Sequence, residues 1–313
     1  MENRADGKSG LVLALSGGGA AGLAHIGVIQ VLMENAISVR AVVGTSIGAE
    51  IGAFTASGMP IDELVSLATS FDWKQTLQLF MPDLSTGGLV SGKKIMDFLN
   101  TKLGAHTIEN LSMGYAAVTT DLETGEQVVV DRGVLVDAVR ASISLPGLIV
   151  PHRIGNRWLV DGSVLNPVPF DVARERFGGP VVAVAVHSAM RQPTRRVRQP
   201  QSRKLPARVR QFLRRPWMVR TQGLEEWLEA QIENYQKAQD KKQWWTTRRV
   251  LDQVMAITQT EIVRLRRNVN PPDLMLVPDV GRIGTIEFYR GTEASAAGRA
   301  AAQDKLDEIK GLL

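Results

Sequence analysis

Apolar and polar positions fall into blocks along the first 190 residues, and the length and period of each block separate strands from helices. LVLAL (11–15) is a short apolar run bounded by glycine, the pattern of a strand buried on both faces. SGGGAAG (16–22) reads as a loop and LAHIGVIQVLMEN (23–35) as a helix, followed by a second strand, VRAVVG (39–44). A sharp turn at Thr45-Ser46 leads into a small-residue helix, IGAEIGAFTAS (47–57). Further helices are expected at 61–71 and 92–103. YAAVTTD (115–121) and EQVVV (126–130) read as strand, turn and strand. RWLV (157–160) precedes the turn Asp161-Gly162-Ser163, and VVAVAV (181–186) adds another strand. Alternation of strands with helices predicts an α/β fold with a mainly parallel sheet.

Beyond His187 the pattern breaks. Residues 189–222 are rich in Arg, Gln and Pro, residues 223–267 regain helical character, DLMLVP (273–278) resembles one more strand, and 293–313 reads as one closing helix. Arg191–Arg220 holds ten Arg and one Lys without an acid, so a chain of net charge +5 divides into this +11 segment and a remainder of −6. The basic pI near 9.6 thus belongs to the segment, not to the fold. Arg195, Arg196, Arg198, Arg214, Arg215 and Trp217 mix cations with apolar residues as interfacial peptides do, and Trp227, Trp244 and Trp245 follow closely. An anionic membrane surface is the favoured partner of 191–220, a solvated linker the bland alternative, and nucleic acid the least favoured.

Composition narrows the chemistry. Of 313 residues, 44% are hydrophobic and 22% charged, as in an ordinary globular protein. Cysteine is absent, which excludes disulfides, iron–sulfur clusters and thiolate nucleophiles. His25, His106, His152 and His187 show no metal-ligand spacing. The polar start MENRADGKSG carries no apolar signal core, so a cytoplasmic location is expected, peripheral at the inner face of the membrane if the basic segment binds there. A catalyst here would use oxygen nucleophiles, carboxylates or a bound cofactor.

Gly44-Thr45-Ser46-Ile47-Gly48 fits G-x-S-x-G directly after an apolar strand and before a helix. The glycines at 44 and 48 permit a tight turn, the serine oxygen projects from it, and the Ile47 N–H could meet a developing oxyanion. Gly17, Gly18 and Gly19 can aim several backbone N–H groups at one anionic centre. Gly17, Gly19 and Gly22 also satisfy a dinucleotide-loop spacing, but the second strand ends without the acid that a ribose requires. Asp161 before glycine is either a turn former or a base placed beside Ser46. A Ser46–Asp161–His187 triad is the rival arrangement.

In combination, SGGGAAGLAHIG (16–27), GTSIG (44–48), the DLETG turn (121–125), ASISLPGL (141–148) and DGSVLNPVP (161–169) resemble the patatin-like phospholipases, particularly bacterial ones related to the catalytic domain of neuropathy target esterase. The resemblance covers about residues 10–188 and implies a three-layer α/β/α fold with a mainly parallel sheet; the domain is read as 10–313, after a polar tail at 1–9 and with a basic and helical insertion at about 189–270 that the resemblance does not cover. It implies Ser46 as nucleophile, Asp161 as base, and Gly17, Gly18 and Gly19 as the oxyanion loop. The chemistry needs neither metal nor cofactor, and the substrate is a phospholipid or lysophospholipid ester. Many relatives carry Arg or Lys where this chain has Ala21, a departure that bears on any cation at the oxyanion site. A low-turnover lipid-binding or regulatory protein that keeps the fold is the alternative.

Overall fold

A computed structural model describes residues 10–70, 90–186, 247–281 and 283–313. The tail at 1–9, His187 and the basic stretch from Arg195 to Trp217 lie outside the described residues, as does the expected insertion up to residue 246. The chain divides into two compact units, Met1–Gln192 with Met255–Leu313, and Pro193–Val254. The architecture below is that of the first.

The opening run forms β1 (Leu11–Leu15), and a 3-10 turn (Gly19–Leu23) leads to α1 (Ala24–Glu34). Next come β2 (Val39–Thr45), α2 (Ile47–Ala56), α3 (Ile61–Ser70) and α4 (Lys93–Leu103). The middle of the chain supplies β3 (Gly114–Asp121), β4 (Gln127–Val130), α5 (Leu135–Ser142), β5 (His152–Ile154) and β6 (Arg157–Asp161). The remainder is α6 (Phe170–Phe177), β7 (Val181–Val184), α7 (Thr247–Val269), β8 (Leu274–Leu276), α8 (Gly291–Asp304) and α9 (Leu306–Lys310). Among the described residues no helix is long and apolar enough to cross a membrane.

The hydrogen-bonded path through the sheet is β5–β6–β3–β2–β1–β7–β8, with β4 also on β3. The central strands β3, β2, β1, β7 and β8 run parallel, and β4 and β6 pair antiparallel to β3. Alternate side chains of the buried strands face opposite layers, as the pleat demands. Leu11, Leu13 and Leu15 join a core with Ile26, Ile29, Ile51 and Phe54 from α1 and α2. Val12 and Ala14 face the other way, onto Phe170 and Val172 of α6 and Val263 of α7. The result is a three-layer α/β/α arrangement. On the first face α1 and α8 approach backbone to backbone: a methyl group at Gly27 would overlap the Ser295 carbonyl, and one at Gly298 the Ala24 carbonyl.

The closing helix expected at 293–313 is broken at Lys305, whose φ of −108° and ψ of 15° leave the helical range and separate α8 from α9. The run VVAVAV keeps only four residues as strand. Ala185 still donates to the Leu276 carbonyl, but the Val186 N–H turns to the Ser16 hydroxyl instead of a neighbouring strand.

Candidate active site

The pairing of β3 decides which side chains meet. Thr119 and Thr120 each pair with both β4 and β6, so those two strands occupy opposite edges of β3. Ala117 and Val118 pair with both β4 and β2, which puts β2 on the same edge as β6. Along that edge Val118 faces Thr45, the last residue of β2, and Thr119 faces Asp161, the last residue of β6. Two strands therefore meet end to end along one side of β3. The turn that leaves β2 carries Ser46, and the turn that leaves β6 begins at Asp161.

Ser46 adopts φ 56° and ψ −127°, a strained conformation for a residue with a side chain. Only Ala36 shares a positive φ among the described non-glycine residues. The strain is enforced by close packing on both sides. A methyl group at Gly44 would overlap the backbone of Gly48 and Ala49, and one at Gly48 would overlap the Leu15 carbonyl. The Ser46 N–H donates to Ser142 Oγ at 2.9 Å, and that hydroxyl donates to the Val118 carbonyl at 2.7 Å. Thr45, fully buried, donates its hydroxyl to the Asn166 carbonyl at 2.9 Å. The Ser46 side chain is left half-buried, at the surface of a rigid turn.

Asp161 is fully buried. Its Oδ1 accepts from the backbone N–H of Ser163 at 2.8 Å and from the Ser163 hydroxyl at 2.6 Å, while Oδ2 has no hydrogen-bond partner among the described residues. Burial pushes this carboxyl above its ordinary value of 3.8. The hydrogen bonds from Ser163 and the nearby Ser46 hydroxyl pull the other way without cancelling the rise. Ser46 is thus close enough to favour the carboxylate but closes no hydrogen bond to Oδ2, a loose geometry usual before substrate arrives.

The glycine loop closes the site from the β1 side. A methyl group at Gly17 would stand 3.3 Å from Ser46 Cβ and 3.4 Å from Ser163 Cβ. Gly18 (φ 144°) and Gly19 (φ 57°) adopt backbone conformations that side chains disfavour, with Val186 and Thr285 filling the space a Cβ would need. The Gly17 N–H is committed to the Pro167 carbonyl at 3.0 Å, whereas the N–H groups of Gly18, Gly19 and Ile47 find no acceptor among the described residues. His25 is buried beneath this loop, its Nε2 2.8 Å from the Ser16 carbonyl.

A family model for patatin-like phospholipases matches residues 13–174, just over half of the chain. The chain belongs to the patatin-like phospholipase family. An uncharacterized NTE-family protein of Mycobacterium tuberculosis is 30% identical over 332 residues, covering 96% of this chain and 92% of its own length. The neuropathy target esterase of Drosophila melanogaster is 33% identical over 181 residues, 56% of this chain and 13% of that protein. Among solved structures, VipD from Legionella pneumophila shares the fold, with a TM-score of 0.51 at 18% identity over 96% of this chain and 67% of its own.

Seen as a patatin-like site, several contributors had not been singled out from the sequence. Ser142 carries the Ser46 amide, and Ser144 accepts the Asp161 N–H on its carbonyl at 3.0 Å. The signal available was two serines two residues apart within the apolar stretch ASISLPGL. Arg140, almost fully buried, ties that stretch to its surroundings. It donates to Ser144 Oγ at 2.6 Å and to the Val150 and Ser91 carbonyls at 3.1 and 3.4 Å. Burial lowers its pKa to about 10, so it stays cationic at neutral pH. Ala21 is buried in the core. Glu50, four residues after Ser46 on α2, is half-buried, and the surrounding protein pushes its pKa up to about 7. Burial, and secondly the charge of Glu50, raise the pKa of Tyr115, which donates to the Ala49 carbonyl at 2.9 Å.

Proposed function

We propose that this patatin-like protein is a serine-dependent lipid acyl hydrolase that uses Ser46 and Asp161 as a dyad on phospholipid or lysophospholipid esters. One observation carries the reading. The end-to-end meeting of β2 and β6 along β3, with a strained serine turn at one strand end and at the other a buried carboxylate whose Oδ2 has no partner among the described residues, supports it.

In the proposed reaction Ser46 Oγ attacks the ester carbonyl carbon while its proton passes to Asp161 Oδ2. The Gly18, Gly19 and Ile47 N–H groups receive the oxyanion, and Gly17 contributes the space for it beside Ser46 rather than a donor. Collapse of the tetrahedral intermediate breaks the ester C–O bond, and the protonated Asp161 returns the proton to the leaving alcohol. Water then attacks the acyl-enzyme, giving a proton to the same carboxylate; collapse breaks the bond between the acyl carbon and Ser46 Oγ, Asp161 returns the proton to that oxygen, and the fatty acid leaves. Seclusion of Asp161 raises its pKa, which makes its carboxylate a better base than a solvated one.

Release of fatty acid from mixed phospholipid vesicles tests the proposal. Turnover that disappears in Ser46→Ala supports it, and wild-type protein without turnover on phospholipids, lysophospholipids and soluble esters overturns it. Collection of substrate at an anionic bilayer through 191–220 belongs to the same proposal. Replacing Arg195, Arg196, Arg198, Arg214 and Arg215 by Gln is expected to reduce co-sedimentation with anionic vesicles at low salt. Unchanged binding would remove that segment from the account.

A further inference from the structure

The loop after Asp161 carries more than the carboxylate. The Asn166 carbonyl accepts from Thr45 Oγ1 at 2.9 Å, and the Pro167 carbonyl accepts from the Gly17 N–H at 3.0 Å. One short stretch therefore fixes both the residue before the serine and the first glycine of the oxyanion loop. It is held by a side chain from a helix far along the chain. Arg266 of α7 pairs through Nη1 with Asp171 Oδ2, while its Nη2 donates to the Leu165 carbonyl at 3.2 Å and reaches Gln127 Oε1 at 3.5 Å. Asn166, fully buried, donates its amide Nδ2 to Asp171 Oδ1 at 2.8 Å and to Gln127 Oε1 at 3.0 Å. The guanidinium thus reaches the 165–167 loop both directly and through two partners that grip the Asn166 side chain.

We propose that Arg266 is a positioning residue for the Ser46–Asp161 site, acting through Leu165, Asn166 and Pro167 on Thr45 and Gly17. The inference rests on the hydrolase reading above. Magnitudes separate it from a simple stabilising role. The Arg266 and Asp171 side chains keep 30% and 23% of their exposure, so solvent partly screens their pair and limits what it adds to stability. Misplacement of a nucleophile or an oxyanion donor by a fraction of an ångström, in contrast, costs an order of magnitude or more in rate. Lysine keeps the charge but lacks the planar fork that serves Asp171 and Leu165 together, so it restores the contact only in part.

The test uses the whole 313-residue chain with p-nitrophenyl butyrate, a soluble ester. The concentration of functional sites is set by titrating Ser46 with a fluorophosphonate. Arg266→Gln is expected to lower kcat per labelled serine about tenfold, with KM within about twofold and Tm within a few degrees of wild type. Arg266→Lys is expected to recover part of the loss. A merely structural role would reduce the labelled fraction and Tm but leave kcat per labelled serine unchanged, and that result in both variants overturns the proposal. Should Arg266→Gln fail to fold, Arg266→Lys decides alone: a reduced per-site kcat supports the assignment and a wild-type value ends it. Absence of labelling and turnover in the wild type would instead defeat the hydrolase reading, and this inference with it.

Discussion

The turn after β2 and the turn after β6 deliver the two side chains of the site, and they are held by different means. Around Ser46 the constraint is steric: glycines at 44 and 48 let backbone touch backbone, leaving the serine a conformation it would not choose. Around Asp161 the constraint is polar: Ser163 caps one carboxylate oxygen, Ser144 takes the backbone N–H, and the other oxygen, buried, has no partner among the described residues. In the proposed reaction the first turn would aim the nucleophile by leaving it no alternative. The second would tune the proposed base by withholding solvent. Errors in the first should therefore appear as misfolding and errors in the second as altered chemistry.

The largest expected effect tests the polar turn. Asp161→Asn keeps the shape and the Ser163 cap but cannot accept a proton, so kcat should fall by about 10³ on any ester. Stability should move the opposite way. A carboxyl whose folded pKa is raised contributes stability at low pH that is lost as pH climbs through that pKa, so removing the buried charge should raise Tm at pH 7 and above. A lower Tm by thermal scanning would contradict this account of Asp161. The steric turn comes next. Gly48→Ala should cost about 3 kcal/mol in denaturant unfolding, because the added methyl meets the Leu15 backbone and not a movable side chain. A near-neutral result would show that the elbow is less constrained than its packing implies.

A smaller effect probes the contact between the two turns. Ser142→Ala strands the Ser46 N–H and frees the Val118 carbonyl, for about 1–2 kcal/mol of stability and about a tenfold loss of kcat. Equal loss in stability without any loss of rate would make Ser142 structural only. The smallest effect concerns Glu50. Its folded pKa of about 7 means that stability present below about 4.5 is lost as pH rises toward 7, and Glu50→Gln should flatten that slope. The gain at pH 8 is expected to be about 1–2 kcal/mol, because the half-buried carboxyl is partly screened by solvent. Parallel pH–stability curves for the two proteins would remove Glu50 as the origin.

Features set by neighbouring residues were legible in the sequence, and features set by distant contacts were not. β1, β2 and the elbow are local features, an apolar run followed by small residues, and their physics acts within about ten positions in the chain. The resemblance to patatin-like proteins supplied the pairing of Ser46 with Asp161, which no local pattern contains. What brings them together is that β3 extends past the end of β2, so that β6 can occupy the vacated edge from Asp121 to Thr119. The short helices α5 and α6 escaped notice because eight residues hardly establish a period. Ser142, Ser144, Asn166 and Arg266 do their work through contacts with distant segments, and their residue types alone announce nothing. The broken C-terminal helix has a local cause at Lys305 that an average over the alanine-rich stretch conceals.

The central claim is that a secluded carboxylate activates Ser46. The most direct test is the pH dependence of fluorophosphonate labelling at Ser46, with the modified residue located by mass spectrometry. The account predicts a rate that rises with pH through a single ionisation above the ordinary aspartate value of 3.8, and loss of that dependence with most of the rate in Asp161→Asn. Labelling of Ser46 at an unchanged rate and with an unchanged pH profile in Asp161→Asn would contradict it.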